Sequence, residues 1–463
     1  MPKNERLAAL MTDAGFLDRA GTIGRKSFAR AVSETTCALA AGRSYSHTYV
    51  KRWLDGTVPR DEDTRNAIRE AIGARLGRTV AVDELGFRSS ATFSPDTGLA
   101  YPDRPADAAS NVAHLFDADL AQANGLVQAP ANVAAWNDAA MNWLVGGRRP
   151  APDGPARSRI GVGDVERLRA MRQTFDRLDS TYGGGHARNA LVQYLRTELP
   201  QLLRAGGTTE TLQALYSAAG ESTQLAAWMA YDAGLHGLAQ RYFIQALGLA
   251  GAADDQLLAA SILDAMSHQA SFLGRYREAA NMARAAQLGT KTVGVPILTA
   301  HFHIMEARAL ARLGDDGACS QAMGAAIENF ERHSPGEGPA WISYFDEAEL
   351  AAELGHCYRD LGQSERAIGY ASQALDSASG DYARSDFFVA MVLADAHLDL
   401  GNVDEGCHVA TKAIKVGDTL DSARCREYVD EFKVRLRKHR SNSSVRVFVD
   451  EIRDSRLWKG SSQ

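Results

Sequence analysis

Residues 230–243 read AYDAGLHGLAQRYF and residues 272–280 read FLGRYREAA. In each, a helical stretch stops at a glycine and a second amphipathic stretch starts within a few residues. The unit returns as Leu313-Gly314 followed by Ala318, as LGQSERA at 361–367 and as LGNVDEG at 400–406. Its anchors, Gly234, Gly274, Gly314, Gly362 and Gly401, lie 40, 40, 48 and 39 residues apart. Self-similarity at such a period marks a paired-helix repeat, which buries its apolar face only against a neighbouring copy. The second helices close with small residues, Ala246, Ala286, Ala326, Ala374 and Ala413, where two helices can approach closely. Five copies exceed the roughly three that a self-supporting stack needs. The expectation is an all-α chain whose residues 221–440 form a tetratricopeptide-like α-solenoid. Helix 421–439 caps it, and 441–463 is a tail.

The first helices of such repeats line a concave groove, a usual place for an extended peptide or a partner helix. Trp228, Tyr231, Asp264, His268, His301, Trp341, Tyr344 and Glu347 are the candidate groove residues. Packing between repeats is the competing role for each. The 48-residue step contains SPGEGPAW at 334–341, an insertion that either lines the groove or is a tolerated surface loop.

Outward from the repeats, composition sets the class. The chain has 463 residues, 45% hydrophobic and 23% charged, which excludes global disorder. No run reaches the roughly 18–20 apolar residues of a membrane span, and MPKNERLAAL lacks a signal-peptide core. Cys37, Cys319, Cys357, Cys407 and Cys425 are odd in number and form no CxxC pair. That points to a reducing cytoplasm rather than a disulfide framework or a zinc site.

The net charge of −6 argues against a nucleic-acid partner until it is resolved along the chain. Residues 1–87 hold 14 bases and 11 acids, a balance of +3, which leaves −9 for the remainder. Between Arg19 and Arg60 stand eight bases against two acids, Glu34 and Asp55. A basic patch on an acidic body is the footprint of a nucleic-acid reader.

The N-terminal 87 residues divide into short helices. Asn4 caps a helix from Glu5 to Ala14, ended by Gly15. A second runs from about Lys26, placing Phe28, Ala29, Val32 and Leu39 on one face, to Gly42. Ser46 caps a third, His47–Leu54, which Gly56 and Pro59 terminate, and Asp61 or Asp63 caps a fourth, Thr64–Leu76. A short basic third helix with a polar start describes a recognition helix. Its His47, Thr48, Tyr49, Lys51 and Arg52 would meet base edges in the major groove. Arg25, Lys26 and Ser27 open the second helix, where free amides also favour phosphate, and Arg43, Tyr45, Ser46 and Arg60 flank the recognition helix.

At these residues a resemblance appears. WLDGTVP at 53–59 resembles the W-x-x-G-x-x-x-P ending of the recognition helix in phage-repressor-like (xenobiotic-response-element class) regulators, and SFARAV at 27–32 resembles their second helix. About ten extra residues, Thr35–Tyr45, separate the two. Such a connection is familiar in actinobacterial (Streptomyces-type) regulators that also end this domain on an LGR-x-V-x-x-x-ELGF pattern; here 76–87 read LGRTVAVDELGF. LDSTYGGGHARNALVQYL at 178–195 resembles the opening of their C-terminal helical domain. The resemblance implies a helix-turn-helix DNA-binding domain, and the layout is similar to that of peptide-responsive quorum-sensing regulators.

Between the two ends, the Ser/Pro/Gly-rich stretch 88–107 reads as a linker and 108–160 as a helical connector broken by GGRRPAPDGPARSR at 146–159. Residues 161–220 form a helical entry to the solenoid. The Gly183-Gly184-Gly185 triplet has neither a preceding strand nor a following Lys-Ser/Thr, so it reads as a helix–helix turn rather than a phosphate cradle. His301 and His303 project about 200° apart and cannot chelate one metal from one helix face. No H-E-x-x-H or G-x-S-x-G is present. The chain thus reads as a cytoplasmic, homodimeric regulator that binds double-stranded DNA, with no catalytic centre, cofactor, metal or membrane partner. Its repeats sense a peptide or small molecule, or mediate dimerisation. A tetratricopeptide adaptor acting by protein contacts alone is the alternative.

Overall fold

In the computed structural model, which describes residues 4–59, 61–80, 83–87, 94–146, 159–377 and 382–460, the chain is all-α. Among the described residues there are 23 α-helices and no strand. The chain divides into two units, Met1–Thr92 and Phe93–Gln463.

The first unit holds α1 (Glu5–Asp13), α2 (Arg25–Ser33), α3 (Thr36–Ala40), α4 (His47–Leu54) and α5 (Glu62–Leu76). Its core gathers one stripe from each longer helix: Leu7 and Met11, Phe28 and Val32, Val50 and Trp53, Ile68 and Ile72. Asn4 knots three segments. Its Oδ1 accepts from the Leu7 amide, its Nδ2 donates to the Leu85 carbonyl at 3.1 Å, and its own amide donates to Leu54 at 2.9 Å. The 76–87 motif closes this core with Val80, Leu85 and Phe87.

The sequence expectation of one helix from Lys26 to Gly42 is corrected. The chain breaks at Glu34, Thr35 caps a separate α3, and Leu39 points outward at 68% exposure rather than into the core. A capping contact from outside explains the break. The amides of Thr36 and Cys37 donate to the Glu70 carboxylate on α5 at 2.9 and 3.1 Å. These backbone bonds hold the Glu70 carboxyl at about 2.

The second unit begins with α6 (Pro105–Leu120), α7 (Asn124–Val127) and α8 (Val133–Val145). Then follow α9 (Val162–Tyr182), α10 (Gly184–Leu202), α11 (Thr209–Asp232), α12 (His236–Ala252), α13 (Gln256–Phe272) and α14 (Tyr276–Thr290). The series continues with α15 (Pro296–Leu313), α16 (Asp316–Arg332), α17 (Glu347–Asp360), α18 (Ser364–Asp376), α19 (Ala383–Asp399) and α20 (Val403–Gly417). It ends with α21 (Ala423–Leu436), α22 (Ser443–Ile452) and α23 (Arg456–Lys459).

From α11 to α20 the helices pack in consecutive pairs, and first helices also touch first helices: α11 with α13, α13 with α15, α15 with α17, α17 with α19. All five anchor glycines sit in the turn inside a pair with φ between +72° and +81°, a conformation that disfavours any side chain. The five closing alanines are all buried.

Three outer segments, read from the sequence as a linker, a helical connector and a tail, pack on the second unit in their described parts. Within the 88–107 stretch, the described part is docked: Arg241 on α12 donates to the carbonyls of Pro95 (2.6 Å) and Thr97 (3.1 Å), and Gln245 to those of Gly98 and Ala100 (both 2.9 Å). The described part of the 108–160 connector, which leaves out 147–158, packs on the same body, through a buried Asp119 that accepts from Arg188 (2.5 Å) and the Tyr242 hydroxyl (3.0 Å). The 441–463 tail is helical over α22 and α23, and Val445, Phe448, Ile452 and Leu457 join the core of α19–α21. Each of these segments covers a helix face that would otherwise expose apolar surface.

The glycine triplet is a packing contact. Gly183 has φ +90°, and a Cβ there would stand 2.7 Å from the Asp421 carbonyl oxygen. The Gly184 amide donates to Asp232 at 2.8 Å and the Gly185 amide to the Asp421 carbonyl at 3.0 Å. The turn between α9 and α10 is thereby pressed against the segment entering α21.

Candidate functional site

Helix α4 is amphipathic over two turns. Val50, Trp53 and Leu54 are buried, and His47, Thr48, Tyr49, Lys51 and Arg52 are exposed. Seven intervals of 100° put the two sets on opposite faces, so the outward set is one contiguous surface. Helix α2 packs against α4 and exposes Arg25, Lys26 and Ser27 at its start, Ser27 Oγ donating to the Gly24 carbonyl at 2.8 Å. Ser46 occupies the N-cap position of α4 but makes no side-chain cap bond.

Two residues expected to flank that surface have other duties. Arg43 pairs with Asp61 at 2.6 Å, and the Tyr45 hydroxyl lies 2.8 Å from Thr64 Oγ1 while its ring meets Trp53 edge-on at 5.5 Å. They pin the lengthened connection to the start of α5. Arg60 lies outside the described residues.

In the second unit, α9, α11, α13, α15, α17, α19 and α21 surround a cavity of about 890 Å³. Trp228, Asp264, His268, His301, Trp341 and Tyr344 all line it, Trp341 from the 334–341 insertion and Tyr344 from the residues just after it, so the insertion contributes to the lining. Two sequence candidates are corrected. Tyr231 is fully buried behind the lining, where its hydroxyl meets His268 Nδ1 at 3.1 Å. Glu347 faces away and accepts from Gln373 at 3.2 Å; Glu349, about 200° further round α17, is the acid that lines the cavity.

Sequence reading missed the cavity's cations and its second acid cluster. Arg308, Arg384, Arg424, Glu349, Glu353 and His356 all line it. Helical phase was the usable signal: His301, Met305 and Arg308 share one face of α15, as Glu349, Glu353 and His356 share one of α17, at steps of four and three.

Charges of both signs line the site. Arg424 lies over the rings of Phe388 (4.4 Å) and Tyr231 (4.8 Å), and Arg308 pairs with Glu353. Burial, then the fields of Arg424 and Arg308, holds His268 well below its ordinary 6.5; burial and Arg308 do the same to His356. His301 Nδ1 sits 2.8 Å from Asp264, and its Nε2 meets the Tyr344 hydroxyl at 3.2 Å. Burial alone would depress His301, but Asp264 outweighs it and raises it above its usual value. Burial and the neighbouring Glu353 push Glu349 up to about 7. Among the described residues no three His, Cys, Asp or Glu side chains are arranged to hold a metal ion. No described helix is long and apolar enough to cross a membrane.

Comparison with known families gives one match: the family model of the SP15 N-terminal domain covers residues 7–88, a stretch that falls within the first unit. No curated protein matches the chain.

Proposed function

We propose that this protein is a cytoplasmic, sequence-specific DNA-binding transcriptional regulator. Its first unit is a helix-turn-helix domain that reads the major groove with α4, and its second is a tetratricopeptide-like sensor. The observation that carries the reading is the sidedness of α4: two bases and three polar or aromatic side chains outward, anchored by Val50, Trp53 and Leu54. The match to a recurring domain over residues 7–88 supports treating this unit as a module. A homodimer would offer two such helices about 34 Å apart, which favours a partly palindromic operator. A ligand in the second unit would act only through different affinities for two arrangements of the dimer.

A gel shift of the full chain against its own upstream DNA tests this. Binding should vanish in the Lys51→Ala/Arg52→Ala double variant while helix content is unchanged. With roughly four phosphate contacts per head, log K for the dimer should fall against log salt with a slope near −7. A full-length chain that retains no DNA would leave the adaptor reading, in which the repeats act through protein contacts alone.

A further inference from the structure

The central cavity is lined by charges of both signs, several of them paired, such as Arg308 with Glu353 and His301 with Asp264, but buried polar atoms of its lining on Arg424, His356 and Asp264 have no partner. Arg424 is 7% exposed, and its Nε has no hydrogen-bond partner. Its nearest carboxylate, Asp232 at 3.8 Å, already accepts from Arg384, Ser422 and the Gly184 amide. His356, 4% exposed, leaves Nδ1 unpartnered. Asp264 on α13, 5% exposed, uses one oxygen on His301 and leaves Oδ1 unpartnered. Each buried polar atom left without a partner costs about 1–3 kcal/mol, so groups of this kind stay in place only where something else satisfies them. An anion alone would leave the Asp264 oxygen without a partner, and a cation alone would leave Arg424 Nε without one.

Spacing limits the size of the occupant. Glu349 and His356 stand seven residues apart on one face of α17, a rise of about 10 Å. A single amino acid keeps its ammonium and carboxylate far closer than that. Two or three extended residues span about 7–10 Å. The aromatic groups facing the cavity, Trp228, Trp341 and Tyr344, offer surface to side chains between the ends.

We propose that this cavity binds a di- or tripeptide with both termini free, its carboxylate at Arg424 and His356 and its ammonium at Asp264 and Glu349. The proposal rests on the sensor reading of the second unit and gives that sensor a ligand class.

The test uses the full chain and a tripeptide set Ala-X-Ala, with X each natural residue, in thermal-shift and calorimetric titrations. At least one member should raise Tm at millimolar concentration. N-acetylation or C-amidation of that member should weaken binding by about tenfold or more at either end. Glu349→Gln should reduce the penalty of N-acetylation and leave that of C-amidation intact, a pattern that a merely misfolded cavity would not give. Absence of any shift across the set overturns the proposal, as does indifference to blocking or equally tight binding of a free amino acid. A gel shift run in parallel separates the two readings: DNA retention without peptide binding defeats this inference alone, and peptide binding without DNA retention defeats the regulator.

Discussion

Arg384 on α19 sets its guanidinium 2.7 Å from the carboxylate of Asp179 on α9, across 205 residues of sequence. The same guanidinium reaches Asp232 at the end of α11, at 3.1 Å. Helix α19 is thereby tied to α9 and α11, and what five repeats alone would leave as an open groove becomes a cavity with a wall on that side. The backbone repeats the link, since Asp421 donates to the Tyr182 carbonyl at 2.8 Å.

Breaking this tie leaves two buried carboxylates facing each other without their cation. Arg384→Ala should destabilise the second unit by about 3 kcal/mol, the usual scale for removing one partner of a buried pair. Denaturant unfolding monitored by tryptophan fluorescence measures it. A loss below about 1 kcal/mol would mean that the backbone link, not the ion pair, holds the closure.

Glycines in this unit divide into two kinds, and alanine substitution should separate them. A Cβ at Gly184 would stand 2.7 Å from Asp232 Cβ and 2.9 Å from the Met229 carbonyl oxygen, so Gly184→Ala should cost about 1–3 kcal/mol by overpacking. Gly324 lies inside α16 with nothing within 4 Å of a new Cβ. There the same change should stabilise by up to about 1 kcal/mol through helix propensity. Equal effects at both positions would contradict the packed turn.

Helix α3 depends on a carboxylate from another helix. Glu70→Gln should weaken the first unit by about 0.5–1 kcal/mol, as loss of a capping contact does, without altering the exposed face of α4. The folded-state value near 2 lies below the ordinary 4.5, so this contribution is present above about pH 4.5 and is lost as pH falls toward 2. Chemical denaturation of residues 1–92 within the full chain, followed by amide exchange at Thr36 and Cys37, checks both statements. Wild-type protection at those amides in the variant would show that α3 stands without Glu70.

Glu349 titrates in the opposite sense. Its folded-state value of about 7 lies above the ordinary 4.5, so the native state holds the proton more tightly and stability declines as pH rises between those values. Glu349→Gln removes that slope. Relative to wild type, the variant should gain about 2–3 kcal/mol between about pH 5 and pH 8. Parallel curves for the two proteins over that range would show that Glu349 is ionised without penalty.

Much of this was legible in the residues themselves. The five glycines and the alanines that follow them announce a paired-helix stack, because only glycine suits the left-handed turn and only small side chains suit the close approach. The inward and outward sets of α4 follow from helical period, and six of the eight residues proposed for the groove do line the cavity, four of them from helices α11, α13 and α15. Other features were not legible. Leu39 reads as core, yet α3 turns it outward because Glu70 recaptures the chain at Thr36. Arg43 and Tyr45 read as contacts for a partner, yet their polar groups are taken by Asp61 and Thr64.

By itself, then, the sequence determined what depends on neighbours a few residues away: helix period, capping, turn conformation, and the contrast between a basic first segment and an acidic remainder. Tertiary structure alone decided which distant groups meet. Asp179, Asp232 and Arg384 look like ordinary surface charges of separate helices until the stack curves far enough to join them. Arg424 Nε and Asp264 Oδ1 are left without partners only when the surrounding helices remove water from both. Curvature is the sum of many small rotations between packed pairs, and no single residue carries it.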